Sequence, residues 1–124
     1  MAYRTVLVVG GTGFVGSSLV AELVARSGRS IVVPTRRYQR GRHLLLLPHV
    51  LLTEADVNDD RALARLLPGV DAVINLAGVL HSKRGPAGSR YDPAFARSHV
   101  ELTRRLVAAC AAHGVPRYLH MSAL

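Results

Sequence analysis

The sequence predicts an α/β domain, a doubly wound parallel sheet with helices on both faces. Three observations predict it. Short apolar runs rich in Val, Ile and Leu alternate with segments of helical period along the chain. The runs are continuous rather than alternating, as strands buried on both faces read. Neither a linker nor a repeat interrupts them, so the 124 residues make one compact domain. Helices between such strands impose parallel pairing through right-handed crossovers.

Thr5–Val9 reads as the first strand, stopped by glycine. From Phe14 the period changes: Val15, Leu19, Leu23 and Val24 recur at helical spacing, and Gly28 closes the helix. Ser30–Val33 is a second short strand, halted by Pro34. An Arg-rich segment, 36–42, leads into a helical turn through Leu47, and Val50–Ala55 is the third strand. Asn58 or Asp59 can cap a helix carrying Leu63, Leu66 and Leu67, which Pro68-Gly69 ends. Ala72–Leu76 is the fourth strand. Residues 78–91, with three glycines and a proline, read as a loop. Asp92 as N-cap and Pro93 at the first helical position open the longest helix. Its stripe includes Phe95, Leu102, Leu106, Ala109 and Cys110, and Gly114 stops it before the fifth strand, Tyr118–Met121.

The net charge is +8, yet fifteen of the sixteen cations are Arg and the single lysine is Lys83. No run of five like charges occurs and no aromatic residues interleave the basic ones, which argues against nucleic acid as a partner. One cysteine, Cys110, excludes an internal disulfide and fits a reducing, cytoplasmic setting, or the cytoplasmic side of a membrane complex. Val6–Val9 is too short for a signal peptide, and Pro48 and His49 break Leu44–Leu52, so neither stretch spans a bilayer. The six histidines lack metal-ligand spacing, so no metal is expected. Cys110, among alanines, reads as a small core residue. Ser122 has no glycine-flanked elbow, which argues against a hydrolase.

The chemistry concentrates in "VLVVGGTGFVG", residues 6–16. Gly11-x-Gly13-x-x-Gly16 matches the dinucleotide-binding fingerprint, with Gly10 ahead of it at the strand end. The first glycines permit the tight turn, Gly13 lets the backbone approach a diphosphate, and Gly16 lets the helix pack on the strand. Free N–H groups at the helix start then face the phosphates. Ser17 stands where a Walker-type loop needs lysine. An NAD site ordinarily has an acid at the end of the second strand, for the ribose hydroxyls. No acidic residue occurs between Glu22 and Glu54, and the second strand runs into "PTRR". Arg36 and Arg37 lie where a 2′-phosphate would sit, so NADP(H) is the preferred cofactor, with NAD(H) left open.

These stretches, with "EADVND", "DAVINLAGV", "LVAACAAHGV" and "RYLHMSAL", resemble the extended and atypical short-chain dehydrogenase/reductase superfamily. Within it the chain resembles the NAD-dependent epimerase/dehydratase branch that includes the NADPH-binding accessory subunit of respiratory complex I. The resemblance implies a Rossmann-type sheet of strand order 3-2-1-4-5. It covers essentially the whole chain and corresponds to the N-terminal portion of longer family members, without their C-terminal substrate part. It implies diphosphate contacts from Gly10, Thr12, Gly13, Phe14, Val15 and Gly16, and 2′-phosphate contact from Arg36. It gives Asp56 and Val57 to the adenine, and Asn75, Leu76, Ala77 and Gly78 to a strand end lying along the cofactor near the ribose. Ser122 matches the serine that hydrogen-bonds substrate in active members.

Active members also carry Tyr-x-x-x-Lys, in which lysine lowers the tyrosine pKa for acid–base work. Here Val79 stands four residues before the only lysine, and His99 replaces the helix asparagine that positions it. Three roles stay open: a redox or epimerase-type enzyme, a non-catalytic cofactor-binding subunit of a respiratory or quinone-related assembly, and a nucleotide-sensing regulator.

Overall fold

The structure is a computed structural model that describes residues 5–77 and 93–121. In chain order the elements are β1 (Thr5–Val9), α1 (Phe14–Ser27), β2 (Ser30–Thr35), a 3-10 helix (Tyr38–Leu46), β3 (Val50–Glu54), α2 (Asp60–Leu66), β4 (Ala72–Asn75), α3 (Pro93–Ala112) and β5 (Arg117–His120). The five strands form one parallel sheet of order β3-β2-β1-β4-β5. The order reverses at β1, which pairs β2 on one edge and β4 on the other.

The core has two layers because β1 buries both of its faces. Val6 and Val8 join α1, through Val20 and Val24, and Leu44 of the 3-10 helix. Leu7 and Val9 point the other way, into Leu63, Leu67, Leu102, Leu106 and Cys110 of the α2–α3 layer. That is the two-residue strand period, with a helix layer waiting on each side. The sheet is pinned early: Thr5 N donates to Asp71 Oδ2 at 2.9 Å, and Asp71 N donates back to Thr5 O at 2.9 Å. Arg105 of α3 reaches Asp60 at the head of α2 over 2.6 Å, a solvent-facing contact of small energy. Among the described residues no helix is long and apolar enough to cross a membrane.

Local signals explain most boundaries. Gly28 takes the left-handed conformation at φ 62° and returns its N–H to Val24 O, ending α1. Of the two candidate caps for α2, the structure uses Asp59, whose carboxylate accepts from Arg61 N at 3.0 Å. Asn58 instead donates its backbone N–H to Asp56 Oδ1.

Three sets of expectations need correction. Pro34 does not halt β2, which continues through Thr35. Ile31 N bonds His49 O and Ala55 N bonds Thr35 O, so the odd-numbered residues of β2 face β3. Pro34 therefore faces the β1 side, past Leu7↔Val32, the last registered pair, where its missing N–H breaks no rung. The Arg-rich segment is not a run-in to a separate turn; it is largely the 3-10 helix itself. β3, β4 and β5 each end one residue earlier than the sequence suggests, and β5 starts one earlier, at Arg117. The loop assigned to 78–91, the Asp92 cap, the side chain of Phe95, and Gly78, Lys83 and Ser122 lie outside the described residues.

Burial in the α2–α3 layer has an acid–base consequence. It pushes the Cys110 thiol up, and it pushes the Tyr118 phenol up against the opposing pull of a hydrogen bond to Asn75. Both groups hold their protons longer folded than unfolded. Their stabilising share is complete below the ordinary thiol and phenol values, about 8.5 and about 10. It is lost as pH rises through the raised ones. Denaturant midpoints followed from about pH 8 to about pH 11 should fall, and fall less steeply in Tyr118→Phe and Cys110→Ala. Identical slopes in all three chains would remove both groups from the alkaline response.

Candidate functional site

A cleft of about 710 Å³ opens over the C-terminal ends of β1, β2 and β4, at the point where the strand order reverses. Open parallel sheets bind ligands there, because diverging loops leave a crevice that helix N-termini face. The glycine turn after β1 forms one wall, the end of β2 with Arg40 of the 3-10 helix a second, and the segments after β3 and β4 with Leu102 of α3 the remainder.

The glycines divide by function. Gly10 has φ +83°, and a Cβ on it would stand 2.9 Å from Ala77 N and Leu76 C. On Gly16 a Cβ would overlap Gly10 O and come within 2.6 Å of Gly11 Cα. These two let three backbone segments meet. Gly13 differs: the nearest atom to its added Cβ is Gly10 O, at an unstrained 3.5 Å, and the residue lines the cleft. Its missing side chain leaves room on the ligand side.

Gly13 is also the N-cap of α1, extended and without a side-chain cap. The first intrahelical bond runs from Ser17 N to Gly13 O at 2.8 Å, so the amides of Phe14, Val15 and Gly16 precede it at the dipole's positive end. No acidic side chain occupies this first turn. Phe14, 82% exposed, sends its ring into solvent, and Thr12 completes the turn beside it.

At the opposite wall Thr35 is buried, and its hydroxyl donates to Arg37 O at 3.0 Å while accepting from Arg37 N at 3.2 Å. This tight turn sets Arg36 and Arg37 on the cleft, and Arg40 follows from the 3-10 helix. Among the described residues no ion pair engages these three arginines, and no carboxylate lines the cleft.

The remaining candidates separate. Val57, Leu76 and Ala77 line the cleft, but Asp56 does not; its carboxylate is turned to Asn58 N at 2.9 Å and Asn58 Nδ2 at 3.3 Å. Asn75 is fully buried and likewise off the wall. Its Oδ1 accepts from Ala77 N and its Nδ2 donates to Tyr118 Oη, each at 3.0 Å. It acts through Ala77, which it holds against Gly10. His120 stacks near Tyr118 and lies 6.1 Å from His99, ring centre to ring centre. Among the described residues no three His, Cys, Asp or Glu side chains gather as a metal would need. Sequence reasoning passed over Arg40, Asn58, Ala55 and Leu102 as wall residues. Arg40 had a signal in its Arg-rich neighbourhood; Leu102 looked like any helix-stripe residue.

Residues 6–123 match the family described as NAD dependent epimerase/dehydratase. The 2-alkyl-3-oxoalkanoate reductase of Stenotrophomonas maltophilia is 32% identical over 117 residues, covering 94% of this chain and 32% of the relative. The mitochondrial NADH-ubiquinone oxidoreductase 40 kDa subunit of Neurospora crassa is 30% identical over 122 residues, 96% of this chain and 30% of the relative. Among solved structures, the UDP-N-acetylglucosamine 4-epimerase of Bacillus cereus superposes with TM-score 0.68 at 25% identity, over 94% of this chain and 38% of that one. Pen from Bacillus thuringiensis, at 16% identity and TM-score 0.73, covers 94% and 36% and shares the fold. The chain thus spans about a third of the length of the curated relatives named here.

The glycine geometry separates binding from folding. Gly13→Val should weaken dinucleotide binding by at least about a hundredfold, about 2.7 kcal/mol, with helical content largely intact and only a small loss of stability at the N-cap. Gly16→Ala should instead lower stability by about 1–3 kcal/mol through forced backbone displacement. Calorimetric titration and thermal melting of both variants read the two effects apart. A Gly13→Val chain that binds like wild type would place the ligand elsewhere.

Proposed function

The chain belongs to the NAD-dependent epimerase/dehydratase family, and we propose that it is a dinucleotide-binding unit of that family with a preference for NADP(H). One observation carries the preference. The wall formed by the end of β2 and the start of the 3-10 helix presents Arg36, Arg37 and Arg40, and among the described residues no carboxylate lines the cleft and no ion pair engages any of the three. A ribose diol is best held by an acid, which accepts from both hydroxyls; a ribose phosphate is best held by guanidinium, which donates in pairs.

The other parts of the ligand find fitting chemistry. The uncapped amides of Phe14, Val15 and Gly16 can donate to a diphosphate over Gly13, whose open face admits it. Val57 and Asn58 give the adenine an apolar contact and a polar one. Leu76 and Ala77 flank the path toward the ribose on the nicotinamide side. When bound, the nicotinamide supplies hydride chemistry; this chain's residues bind and orient it. By the family motif, Gly78 is proposed as a cofactor contact near the ribose and Ser122 as a hydrogen-bond partner of the substrate.

A second reading follows from the likeness to the 40 kDa subunit of an NADH-ubiquinone oxidoreductase. In that reading the parent protein holds the cofactor without turning it over, beside a membrane complex on its cytoplasmic or equivalent face. A hydride-transfer assay over a panel of carbonyl substrates tells the two apart, since saturable turnover belongs to the first alone.

Arg36→Ala tests the preference. It should cost NADPH binding about 1.5–3 kcal/mol, roughly 10- to 150-fold in Kd, and leave NADH within about twofold. Equal losses for both cofactors would take Arg36 away from the 2′-phosphate and return the site to NAD.

A further inference from the structure

The 3-10 helix Tyr38–Leu46 runs nine residues. That geometry rarely persists beyond three or four without outside support, because its hydrogen bonds are poorly aligned. Three ties supply support. Leu44 is buried in the α1-side core at 1% exposure. Gly41 lies so close to its neighbours that a Cβ would meet Leu52 Cδ1 at 2.5 Å and Thr12 Cγ2 at 2.9 Å.

The third tie is polar. His43 Nε2 stands 2.8 Å from Ser17 Oγ, and the same hydroxyl lies 3.3 Å from Gly11 O. With Ser17 donating its proton to the Gly11 carbonyl, His43 donates Nε2–H to Ser17 Oγ. The 3-10 helix is thereby joined to the first turn of α1 and to the glycine turn, across 26 positions of sequence. Neither His43 nor Ser17 lines the cleft, but Arg40, one 3-10 turn before His43, does.

We propose that the His43–Ser17 bond is a positioning clasp that holds Arg40 toward the phosphate end of the cleft and thereby sets selectivity for NADP(H). The inference rests on the proposed NADP(H) preference and adds residues outside the cleft that govern it. Arg36 and Arg37 are set by the Thr35 turn; Arg40 is joined to that turn through one bond, its N–H to Arg37 O at 3.0 Å, and the 3-10 helix beyond it places the rest. An arginine on a loosely held segment must surrender backbone freedom when it grips an anion. One on a clasped helix has already surrendered it, so its contact with phosphate is worth more. Binding of a cofactor without the 2′-phosphate gains nothing from that arrangement.

The test is calorimetric titration of the 124-residue chain with NADPH and with NADH, for wild type, Ser17→Ala, His43→Ala and His43→Gln. Each alanine variant should weaken NADPH about five- to tenfold and leave NADH within about twofold. His43→Gln, whose amide nitrogen reaches the Nε2 position, should recover most of the loss. Melting temperatures should agree within about 2 °C, because the bond is at the surface. A role in folding alone would weaken both cofactors together and lower the melting temperature, and that result overturns the clasp. So does an NADPH affinity unchanged in both alanine variants, or a glutamine variant as weak as alanine. The preference itself is read in wild type before any substitution. Equal NADPH and NADH affinities there overturn the preference, and the clasp's part in it. A preferring wild type whose His43→Ala variant prefers equally overturns the clasp alone.

Discussion

The close approach of Gly16 to the Gly10 carbonyl is the constraint on which the rest of this structure depends. It brings the first turn of α1 down onto the end of β1 with no side chain between them. From that contact follow the direction of the helix axis and the aim of its first amides. It also fixes the position of the cleft over the point where the sheet changes direction. Asn75 closes the arrangement from the β4 side by holding Ala77, whose backbone in turn crowds Gly10. A cleft assembled from backbone contacts of this kind keeps its shape without ligand, which is the condition for tight binding at low ordering cost.

Electrostatics then decide what the cleft accepts. A helix N-terminus supplies partial positive charge at one wall and three arginines supply full charge at another. Low-dielectric walls concentrate such a field within the crevice. The overall charge of +8 reinforces it but does not create it, because a basic surface spread around a protein has no preferred ligand. Local to the cleft are a lining without carboxylates among the described residues and, across from the arginines, the uncapped amides.

Much of this was legible in the sequence, for identifiable reasons. β1, α1 and the turn between them were readable because glycine placement, apolar run and helical period all point the same way. The strand order followed from resemblance to a family, and the pairing pattern carries it. Pro34 misled because its penalty depends on which neighbour its missing N–H would have faced, a fact of register that local pattern does not contain. The 3-10 helix was obscured because its arginines look like loop residues until Leu44 and Gly41 are seen against the core. Asp56 and Asn75 sit at motif positions, yet in this structure their side chains serve the local backbone first. Motif matching locates such residues; only coordinates show which way they turn.

The pairing of Thr5 with Asp71 has a consequence for how the chain reaches this structure. The two residues are 66 positions apart and bond reciprocally at the base of the sheet. β1 can join β2 after a short excursion through α1, but its other edge must wait for β4 to return from much farther along the chain. The entropy of closing that longer loop is recovered only once Val73 and its neighbours dock on the α2–α3 layer. Loop-closure entropy therefore favours the local β1–β2 pairing over the distant β1–β4 one, and the second edge of β1 depends on the packing of the α2–α3 layer for its stability. The crevice lies over the seam between these two pairings, the near one and the far one.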